Sequence, residues 1–521
     1  MFALALLLVS CSPQEHAHYY GYPEADALRY EIYLQVDPVK KKAKAEIGYE
    51  FLVVEAMQEL RLDFQEKKDW PVRFENDRGE PLEFRREQDR IWVNLAEPAK
   101  VGETLRLKAF LEGKPGSGSH FLKTRYGDPT FFTDHFPAKA RGWLPCEDHP
   151  QDHAHFRLTL DVPSGFDVVS SGKGDWLKTT AESSSKANWR RWQSETIVEL
   201  PTYLFTMAVA PFSRLQEKGD PRFIPHFIYR KDLPRARRAL KHHGRWMEIM
   251  EKSFGPYLYS KYCVVQIPTR WGGMEYPGNT FILERLFDAP DFGVGTLAHE
   301  FAHQWFGDAV GFADWNEIWL SEGFASYFGP WLHAQTGGPP LKIAMGNSRR
   351  SWLRAEVGRR WPIRHHQFQE PGEMINSNSY PKGAWVLHML RGEVGDEAFF
   401  QGIQNYYQTH LGGTAQTAQL QQAMEQAAGT DLGWFFEQWL DRPDCPHLAI
   451  QWQSDRVVVE QRQPGEPYRF WLPLAWIDAK GNSHHQRFRM EAKRMEIPIS
   501  DGPIRNPKVD PEIQLLYRKA K

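Results

Sequence analysis

The sequence predicts a multidomain α+β protein, because its 521 residues pass from strand-like patterning to helical patterning and back again. Hydrophobic residues make up 41% and aromatic residues 14% of the chain, as expected for a globular protein with a large core. This length suits about three domains. With 64 basic and 66 acidic side chains the net charge is −2, which gives no support for a nucleic-acid partner.

An antiparallel β domain is predicted for residues 19–216. Segments such as Arg29–Val36 and Phe156–Val162 alternate apolar and polar residues, as half-buried strands do. Turn-forming residues separate these segments, for example at Asn76–Gly79 and Ser171–Gly174.

A mainly helical domain is predicted for residues 217–442, and a small β-sandwich for residues 443–521. The helical domain also contains a strand at Tyr262–Ile267, and strand-like alternation returns in Leu448–Gln461 and Arg469–Ile477. Helical spacing is found in three segments: Arg235–Phe254, Ala384–Val394 and Thr417–Gly429.

Residues 1–18 read as the signal and linker of a bacterial lipoprotein. A short apolar run ends in Leu8-Val9-Ser10-Cys11, the pattern of a lipoprotein cleavage site, which would make Cys11 the lipidated first residue. The run is too short to span a bilayer and lacks the basic residues of a signal peptide, so a merely apolar terminus is the alternative. The lipoprotein interpretation places the protein in the bacterial cell envelope, facing the periplasm. Without a signal the protein would be cytoplasmic.

The other cysteines are Cys146, Cys263 and Cys445, which lie far apart and form no CxxC pair. This spacing excludes a disulfide scaffold and a thiolate zinc site. One disulfide among the three remains open.

The most informative motif is an HExxH formed by His299, Glu300 and His303, followed by Glu322 in a second predicted helix. Histidines one helical turn apart lie on one face, so both imidazoles can bind one metal ion. Eighteen residues lie between His303 and Glu322, enough for a second helix to return a carboxylate. Two His and one Glu are the three protein ligands of a catalytic zinc site, which leaves the fourth coordination position open, and we expect one ion per chain. Glu300 can serve as the base for metal-activated water.

The helix that carries the HExxH is predicted to be buried. Its neighbours are mostly apolar, and buried ionisable groups without partners are costly, so a bound metal ion explains them better than a solvated helix face does. We expect Thr296 to cap the start of this helix and Gly307 to end it.

A second motif, Trp271-Gly272-Gly273-Met274-Glu275-Tyr276, follows the strand at Tyr262–Ile267. Paired glycines after a strand suit the close approach of another backbone. A peptide substrate could lie along this edge as an added strand, with the Glu275 carboxylate at one end of it. An ordinary turn is the alternative for this motif taken alone.

Together these motifs resemble the aminopeptidase N family of gluzincins, and the likeness extends over most of the chain. The HExxH, the distant Glu322 and the Gly-Gly-Met-Glu segment occur in the family's order and spacing. Four further segments resemble it: Phe136–Pro150, Pro201–Phe205, Ser379–Gly383 and Phe435–Leu440.

The resemblance implies a saddle-like first domain, a thermolysin-like catalytic domain and a β-sandwich. It implies a zinc aminopeptidase in which Tyr380 stabilises the oxyanion and Glu275 binds the α-ammonium of the peptide. Gly272, Gly273 and Met274 would contact the peptide. Many family members continue with a large helical domain, for which a chain ending at Lys521 has no room, so we expect a more open cleft.

The sequence departs from the family pattern at two positions. Tyr276 stands where Asn is common, and Phe136 stands where the family often has the Gln or Glu that helps to bind the amine. Glu275 is therefore expected to be the main anchor, with Asp134 or Glu147 as candidate substitutes.

Three alternatives to this interpretation remain open. The chain could be a non-catalytic peptide-binding relative, or a zinc endopeptidase or hydrolase of another small substrate. A rival metal cluster could form at Asp148, His149, His153 and His155, although a structural role is favoured for that stretch.

Overall fold

The computed structural model describes residues 24–65, 67–177, 188–216, 219–499 and 504–520, except for the side chains of residues 290–292. It confirms the predicted α+β class, with a β-rich first part, a helical middle part and a β-rich C-terminal part. The limits predicted between these parts stay predictions. Cys11 lies outside the described residues.

The first part is built from strands that form three sheets. The largest sheet has eight strands in the order β13-β14-β11-β1-β2-β8-β4-β5. The strands are β1 Ala25–Asp37, β2 Lys42–Val53, β3 Met57–Asp63, β4 Val72–Asn76, β5 Pro81–Leu82, β6 Phe84–Glu87, β7 Arg90–Ala99, β8 Thr104–Gly113, β9 Ser119–Lys123, β10 Pro129–Thr133, β11 His155–Pro163, β12 Asp167–Ser170, β13 Lys173–Trp176, β14 Trp189–Glu195 and β15 Met207–Ala210.

The described part of the first domain departs from the predicted antiparallel arrangement at one pair of strands. β1 pairs with β2 in antiparallel fashion but with β11 in parallel fashion, for example Ile32 opposite Leu158. A parallel pair needs a long crossover, and the chain from β2 to β10 supplies it. Alternation within a strand shows which face is buried but does not show the direction of its neighbour.

The middle part combines a five-stranded sheet with a bundle of helices. The sheet order is β16-β17-β18-β20-β19, which leaves β19 at the edge. The strands are β16 Ser213–Leu215, β17 His226–Ile228, β18 Cys263–Ile267, β19 Gly273–Met274, β20 Asn279–Leu283, β21 Val310–Phe312 and β22 Gly413–Ala415. The helices are α1 Leu233–Leu240, α2 His243–Phe254, α3 Pro290–His303, α4 Trp319–Gln335, α5 Leu341–Arg354, α6 Val357–Arg360, α7 Gly383–Val394, α8 Asp396–His410, α9 Thr417–Ala428 and α10 Gly433–Phe436.

Helix α3 packs closely against α4 because of one glycine. A Cβ placed on Gly329 would lie 2.8 Å from the Cα of His299, closer than atoms can approach. The missing side chain therefore brings the backbone of α4 against the helix that carries the HExxH. Two predictions about α3 are wrong: it begins at Pro290, so Thr296 lies inside it, and it ends at His303, before Gly307. Pro at the first turn of a helix is favourable because its missing N–H has no intrahelical partner there.

The C-terminal part consists of two small sheets, in the orders β27-β24-β23-β29 and β26-β25-β28. Its last residues return to the helices of the middle part. Arg349 of α5 donates to Asp510 at 2.6 Å and to the carbonyl of Leu515 at 3.0 Å, and His388 of α7 contacts the carbonyl of Ile513 at 2.8 Å. The strands are β23 His447–Trp452, β24 Arg456–Gln461, β25 Phe470–Ile477, β26 Ser483–Met490, β27 Arg494–Pro498, β28 Arg505–Val509 and β29 Arg518–Lys519.

Two further questions from the sequence are answered by the described residues. Cys146, Cys263 and Cys445 are buried free thiols, so the disulfide left open among them does not form. Among the helices that the structure describes, none is long and apolar enough to cross a membrane.

Candidate active site

The three predicted metal ligands meet at one point between α3 and α4. The Nε2 atoms of His299 and His303 lie 3.2 Å apart. One carboxylate oxygen of Glu322, Oε2, lies 3.5 Å from the first of these nitrogens and 3.3 Å from the second. Helical spacing places both imidazoles on one face of α3, and the close packing of α4 brings the carboxylate to them.

These distances fit a zinc ion. Ligand atoms about 2.0–2.1 Å from a tetrahedral ion lie about 3.3–3.4 Å from one another. The Oε2 atom of Glu322 is buried and accepts no hydrogen bond among the described residues, as expected of an atom that binds a metal. The donor set of two imidazoles and one carboxylate is also the set that catalytic zinc sites use.

The electrostatics of the cluster favour a cation. Burial would raise the pKa of Glu322, but the neighbouring His303 and His299 outweigh it and lower that pKa to about 2. Burial would lower the pKa of His303, but Glu275 and Glu322 outweigh it and raise that pKa to about 10. The carboxylates therefore attract positive charge into the site.

One ligand is oriented by the turn that follows its helix. The Nδ1 atom of His303 lies 3.1 Å from the carbonyl of Phe306 and 3.0 Å from the hydroxyl of Ser321. These contacts place the other ring nitrogen towards the metal position, since one nitrogen binds the metal while the other makes a hydrogen bond.

Glu300 lies against the edge strand β19. A Cβ on Gly273 would lie 2.6 Å from the Cγ atom of Glu300 and 2.5 Å from its Cδ atom. The glycine thus makes room for the side chain of the predicted base; that it also admits an approaching peptide backbone stays a prediction. A Cβ on Gly272 would meet only the Cγ2 atom of Thr296, at 3.6 Å. Burial raises the pKa of Glu300 well above its ordinary value, which makes it a stronger proton acceptor.

Glu275 belongs to the same cluster. Glu275, Glu300 and His303 each offer an atom within 4.8 Å of the others, and the Glu275 carboxylate lies 4.0 Å from Nδ1 of His303. Burial raises the pKa of Glu275, and the charge of Glu322 raises it further. Met274 and Gly273 pair with Phe281 and Ile282 of β20, so the opposite edge of β19 is free of strand partners in the described sheet.

Tyr380 reaches the metal ligands from a π-helical turn, Asn378–Lys382. Its hydroxyl donates to Oε1 of Glu322 at 2.6 Å, and its ring stacks on that of His299 at 6.2 Å. Pro381 has no N–H to donate, and the next residue, Lys382, bonds back to Ser377 at 3.1 Å, five residues away. Such π turns are frequent at functional sites.

The Asn378 side chain anchors this turn. Its Oδ1 accepts from the indole of Trp352 at 3.0 Å, and its Nδ2 donates to the carbonyls of Trp361 at 2.9 Å and Pro362 at 3.2 Å. A cavity of about 610 Å³ opens beside His299 and Tyr380, bounded by α3, α4 and α5.

The residue that departs from the family pattern, Phe136, lies in an aromatic cluster. Its ring centre is 5.9 Å from that of Tyr203 and 6.1 Å from that of Trp315. Of the two candidate substitutes, Asp134 is near enough for its charge to act on Glu275. The second candidate, Glu147, donates its backbone N–H to the hydroxyl of Tyr30.

The rival metal cluster does not form among the described residues. Asp148 pairs with Arg141 at 3.0 Å, and the ring of His153 contacts the carbonyl of Pro150 at 3.2 Å. Asp148 and His153 are thus used locally, which agrees with the structural role favoured for this stretch.

Gln304 was not among the predicted site residues, yet it is fully buried beside the cluster and contacts the backbone of Glu275. The available signal was its position, since an uncharged amide directly follows the last HExxH histidine within an apolar sequence.

Comparison with known proteins agrees with this geometry. Residues 26–204 match the Peptidase M1 N-terminal domain, and residues 238–439 match the Peptidase family M1 domain. The chain belongs to peptidase family M1. The resemblance identified from its motifs is thereby confirmed.

Relatives of this M1 chain are named aminopeptidases. A leucyl aminopeptidase of Saccharolobus solfataricus is 27% identical over 74% of this chain and 50% of its own length. An aminopeptidase N of Streptomyces lividans is 26% identical over 68% of this chain and 43% of its own length. The chain thus spans half or less of the length of these relatives.

A solved structure shares the M1 fold. It is a glutamate-to-alanine mutant of a two-domain M1 zinc metallopeptidase with bound L-tryptophan, and it is 23% identical in sequence. The TM-score is 0.65, with 82% of this chain and 96% of that chain covered. This likeness confirms the fold.

Proposed function

We propose that the protein is a zinc-dependent aminopeptidase that removes residues from the N-terminus of peptides. The observation that carries this proposal is the position of Glu275. Its carboxylate lies 4.0 Å from the ring of the ligand His303, at the end of an edge strand. A carboxylate there can bind an α-ammonium group and so place the first peptide bond at the metal.

His299, His303 and Glu322 would hold a zinc ion, which when bound would supply a Lewis acid for activating water and polarising the scissile carbonyl. Glu300 accepts the proton of the attacking water and delivers it to the leaving amine. The buried environment that raises the pKa of Glu300 strengthens it for the first of these steps.

Tyr380 stabilises the negative charge that develops on the carbonyl oxygen. Its hydroxyl donates to Oε1 of the ligand Glu322 at 2.6 Å and so lies beside the metal position, where it can turn its hydrogen to the carbonyl oxygen of a bound substrate. The π turn Asn378–Lys382 holds it there.

The substrate binds as an added strand on β19. Gly272, Gly273 and Met274 offer backbone groups along the free edge, and an extended peptide can hydrogen-bond to them. The cavity of about 610 Å³ beside His299 and Tyr380 has room for the residues that follow the cleaved bond.

The proposed function is tested with aminoacyl fluorogenic substrates and their N-acetylated forms. The wild type should cleave the free amines and leave the acetylated forms almost intact. Glu275→Gln should lower kcat/KM for free amines about 10- to 100-fold, the contribution of a hydrogen bond to a charged group. Glu317→Gln is the matched control, because Glu317 is also buried but accepts from Thr417, away from the cluster. Equal cleavage of both substrate forms by the wild type would refute an aminopeptidase.

Catalysis is tested separately from metal binding. Glu300→Gln should retain one zinc per chain and lose at least about 10²-fold in kcat, since it removes the proton acceptor. A chelator should abolish activity, and added zinc should restore it. Stoichiometric zinc with no turnover of any substrate in the wild type would favour the alternative of a peptide-binding relative. Cleavage of N-acetylated peptides at internal bonds would favour an endopeptidase.

We also propose that Cys11 is lipidated and anchors the protein in the bacterial cell envelope, facing the periplasm. The support is the sequence Leu8-Val9-Ser10-Cys11 alone. A fatty-acid label fed to a bacterial host should be incorporated into the wild type and not into Cys11→Ser. Incorporation into both would contradict lipidation at this residue.

A further inference from the structure

We propose that Gln304 is a positioning residue that ties the Glu275 loop to the metal-binding helix and so sets the distance between the amine anchor and the metal ligands. The inference rests on the proposed aminopeptidase function. Gln304 directly follows the ligand His303 at the end of α3, and its side chain is fully buried.

The amide of Gln304 is bonded on both sides. Its Nε2 donates to the carbonyl of Glu275 and, at 2.7 Å, to the carboxylate of Asp308. Its Oε1 accepts from the hydroxyl of Tyr257 at 3.0 Å and from the backbone N–H of Gly278 at 2.9 Å. Gln304 therefore holds both ends of the loop that runs from the amine anchor to β20.

The partners also determine which way the amide points. Two acceptors, Asp308 and the carbonyl of Glu275, face the nitrogen, while the backbone N–H of Gly278, which can only donate, faces the oxygen. A flipped amide would set its oxygen against two acceptors and its nitrogen against the N–H of Gly278. The amide of Gln304 therefore has one favoured orientation, and its hydrogen bonds fix the position of the loop.

The position of this loop matters because Glu275 acts at short range. Its carboxylate lies 4.0 Å from the ring of His303, while its backbone carbonyl is held by Gln304, the residue that follows His303. A shift of about 1 Å at a positioning group can cost about 10²-fold in rate. The strand that leads into the loop contains Gly273, against which Glu300 lies, so the tie keeps the anchor and the base in one arrangement.

Two variants of Gln304 test the hydrogen bonds of its amide nitrogen and amide oxygen. Gln304→Met keeps the size of the side chain and removes its hydrogen bonds. Gln304→Glu keeps the acceptor for Tyr257 and Gly278 and loses the donor to Glu275 and Asp308. If either variant fails to fold, the other still gives the result.

Gln461 provides the matched control. It is also a buried glutamine with four amide contacts: it donates to the carbonyls of Tyr468 at 2.8 Å and Ala492 at 3.1 Å, and accepts from the N–H of Tyr468 at 2.8 Å and the amide of Gln463 at 2.9 Å. It lies in the C-terminal sheets, so Gln461→Met should reduce stability and leave substrate discrimination unchanged.

The experiment measures kcat and KM for a free aminoacyl substrate and its N-acetylated form, together with zinc content and the unfolding temperature. Both Gln304 variants should bind one zinc per chain, as the ligands are untouched. We expect their kcat/KM for the free amine to fall by about 10²-fold, mainly through KM, with the acetylated substrate unaffected. The ratio of kcat/KM for the free amine to that for the acetylated substrate should therefore fall in both Gln304 variants, while Gln461→Met keeps the wild-type ratio.

The outcomes distinguish this inference from the proposed function. If the wild type prefers the free amine and Gln304→Met keeps that preference within about threefold, the positioning role is wrong and the aminopeptidase remains. If Gln461→Met loses the preference as well, the effect of Gln304 is general destabilisation and the role is again wrong. Equal cleavage of both substrates by the wild type overturns the proposed function and this inference with it.

Discussion

Replacing Gly273 by alanine should remove catalysis without removing the metal. The added Cβ would lie 2.6 Å from Cγ and 2.5 Å from Cδ of Glu300, whereas ordinary contacts between such atoms are 3.4–4 Å. The base must therefore move by about 1 Å, and a misplacement of that size costs about 10²-fold in rate. The backbone at Gly273 needs no positive φ, so alanine introduces crowding alone.

Gly272→Ala is the control for this prediction. Its Cβ would meet only the methyl group of Thr296, at 3.6 Å, which is an ordinary contact. We expect Gly272→Ala to keep kcat within about threefold of the wild type, and Gly273→Ala to lose about 10²-fold in kcat. Both variants should retain one zinc per chain, measured by mass spectrometry.

A double variant identifies the cause of the loss. If Gly273→Ala acts by displacing Glu300, it should have no further effect on kcat when Glu300→Gln is already present. Additive losses in the double variant would show that Gly273 acts through peptide binding instead. Equal kcat values for Gly273→Ala and Gly272→Ala would refute the steric reasoning altogether.

Two further predictions concern the oxyanion and the effect of pH on stability. Tyr380→Phe should lower kcat by about 10²- to 10³-fold with zinc retained, the usual loss of one oxyanion donor; a loss below threefold would exclude that role. Burial raises the pKa of Asp152 to about 8, so the folded state holds a proton that the unfolded state releases. The contribution of Asp152 to the free energy of unfolding is therefore fully present below about pH 4, and it is lost as the pH rises to about 8. Asp152→Asn keeps an acceptor for the Ala27 N–H and should be more stable at pH 7, by about 2–4 kcal/mol. Urea unfolding at pH 5 and pH 8 measures this, and an equal pH dependence of both proteins would contradict it.

The metal ligands could be predicted from the sequence because they depend mainly on local geometry. His299 and His303 are one helical turn apart, and that spacing alone places both imidazoles on one face. The carboxylate of Glu322 needed only a second helix returning within a short distance along the chain. The alternation of apolar residues likewise predicted most strands, since burial of one face leaves its period in the sequence.

The roles of other residues depended on contacts between distant segments. Tyr380 reaches Glu322 across 58 positions of the chain, through a π turn that periodicity does not reveal. The parallel pairing of β1 with β11 was missed for the same reason, because a strand's pattern carries no information about the direction of its partner.

The sequence by itself determined the chemistry of the metal site, since spacing along one helix is enough to bring two imidazoles together. Only the tertiary structure decided how the predicted base and the proposed amine anchor are placed at that site. Gly273 makes room for Glu300, and Gln304 ties the loop of Glu275 to the ligand helix, through contacts between β19, its loop and α3. These contacts join segments about 30 residues apart, and they form only when the sheet edge packs against the helix.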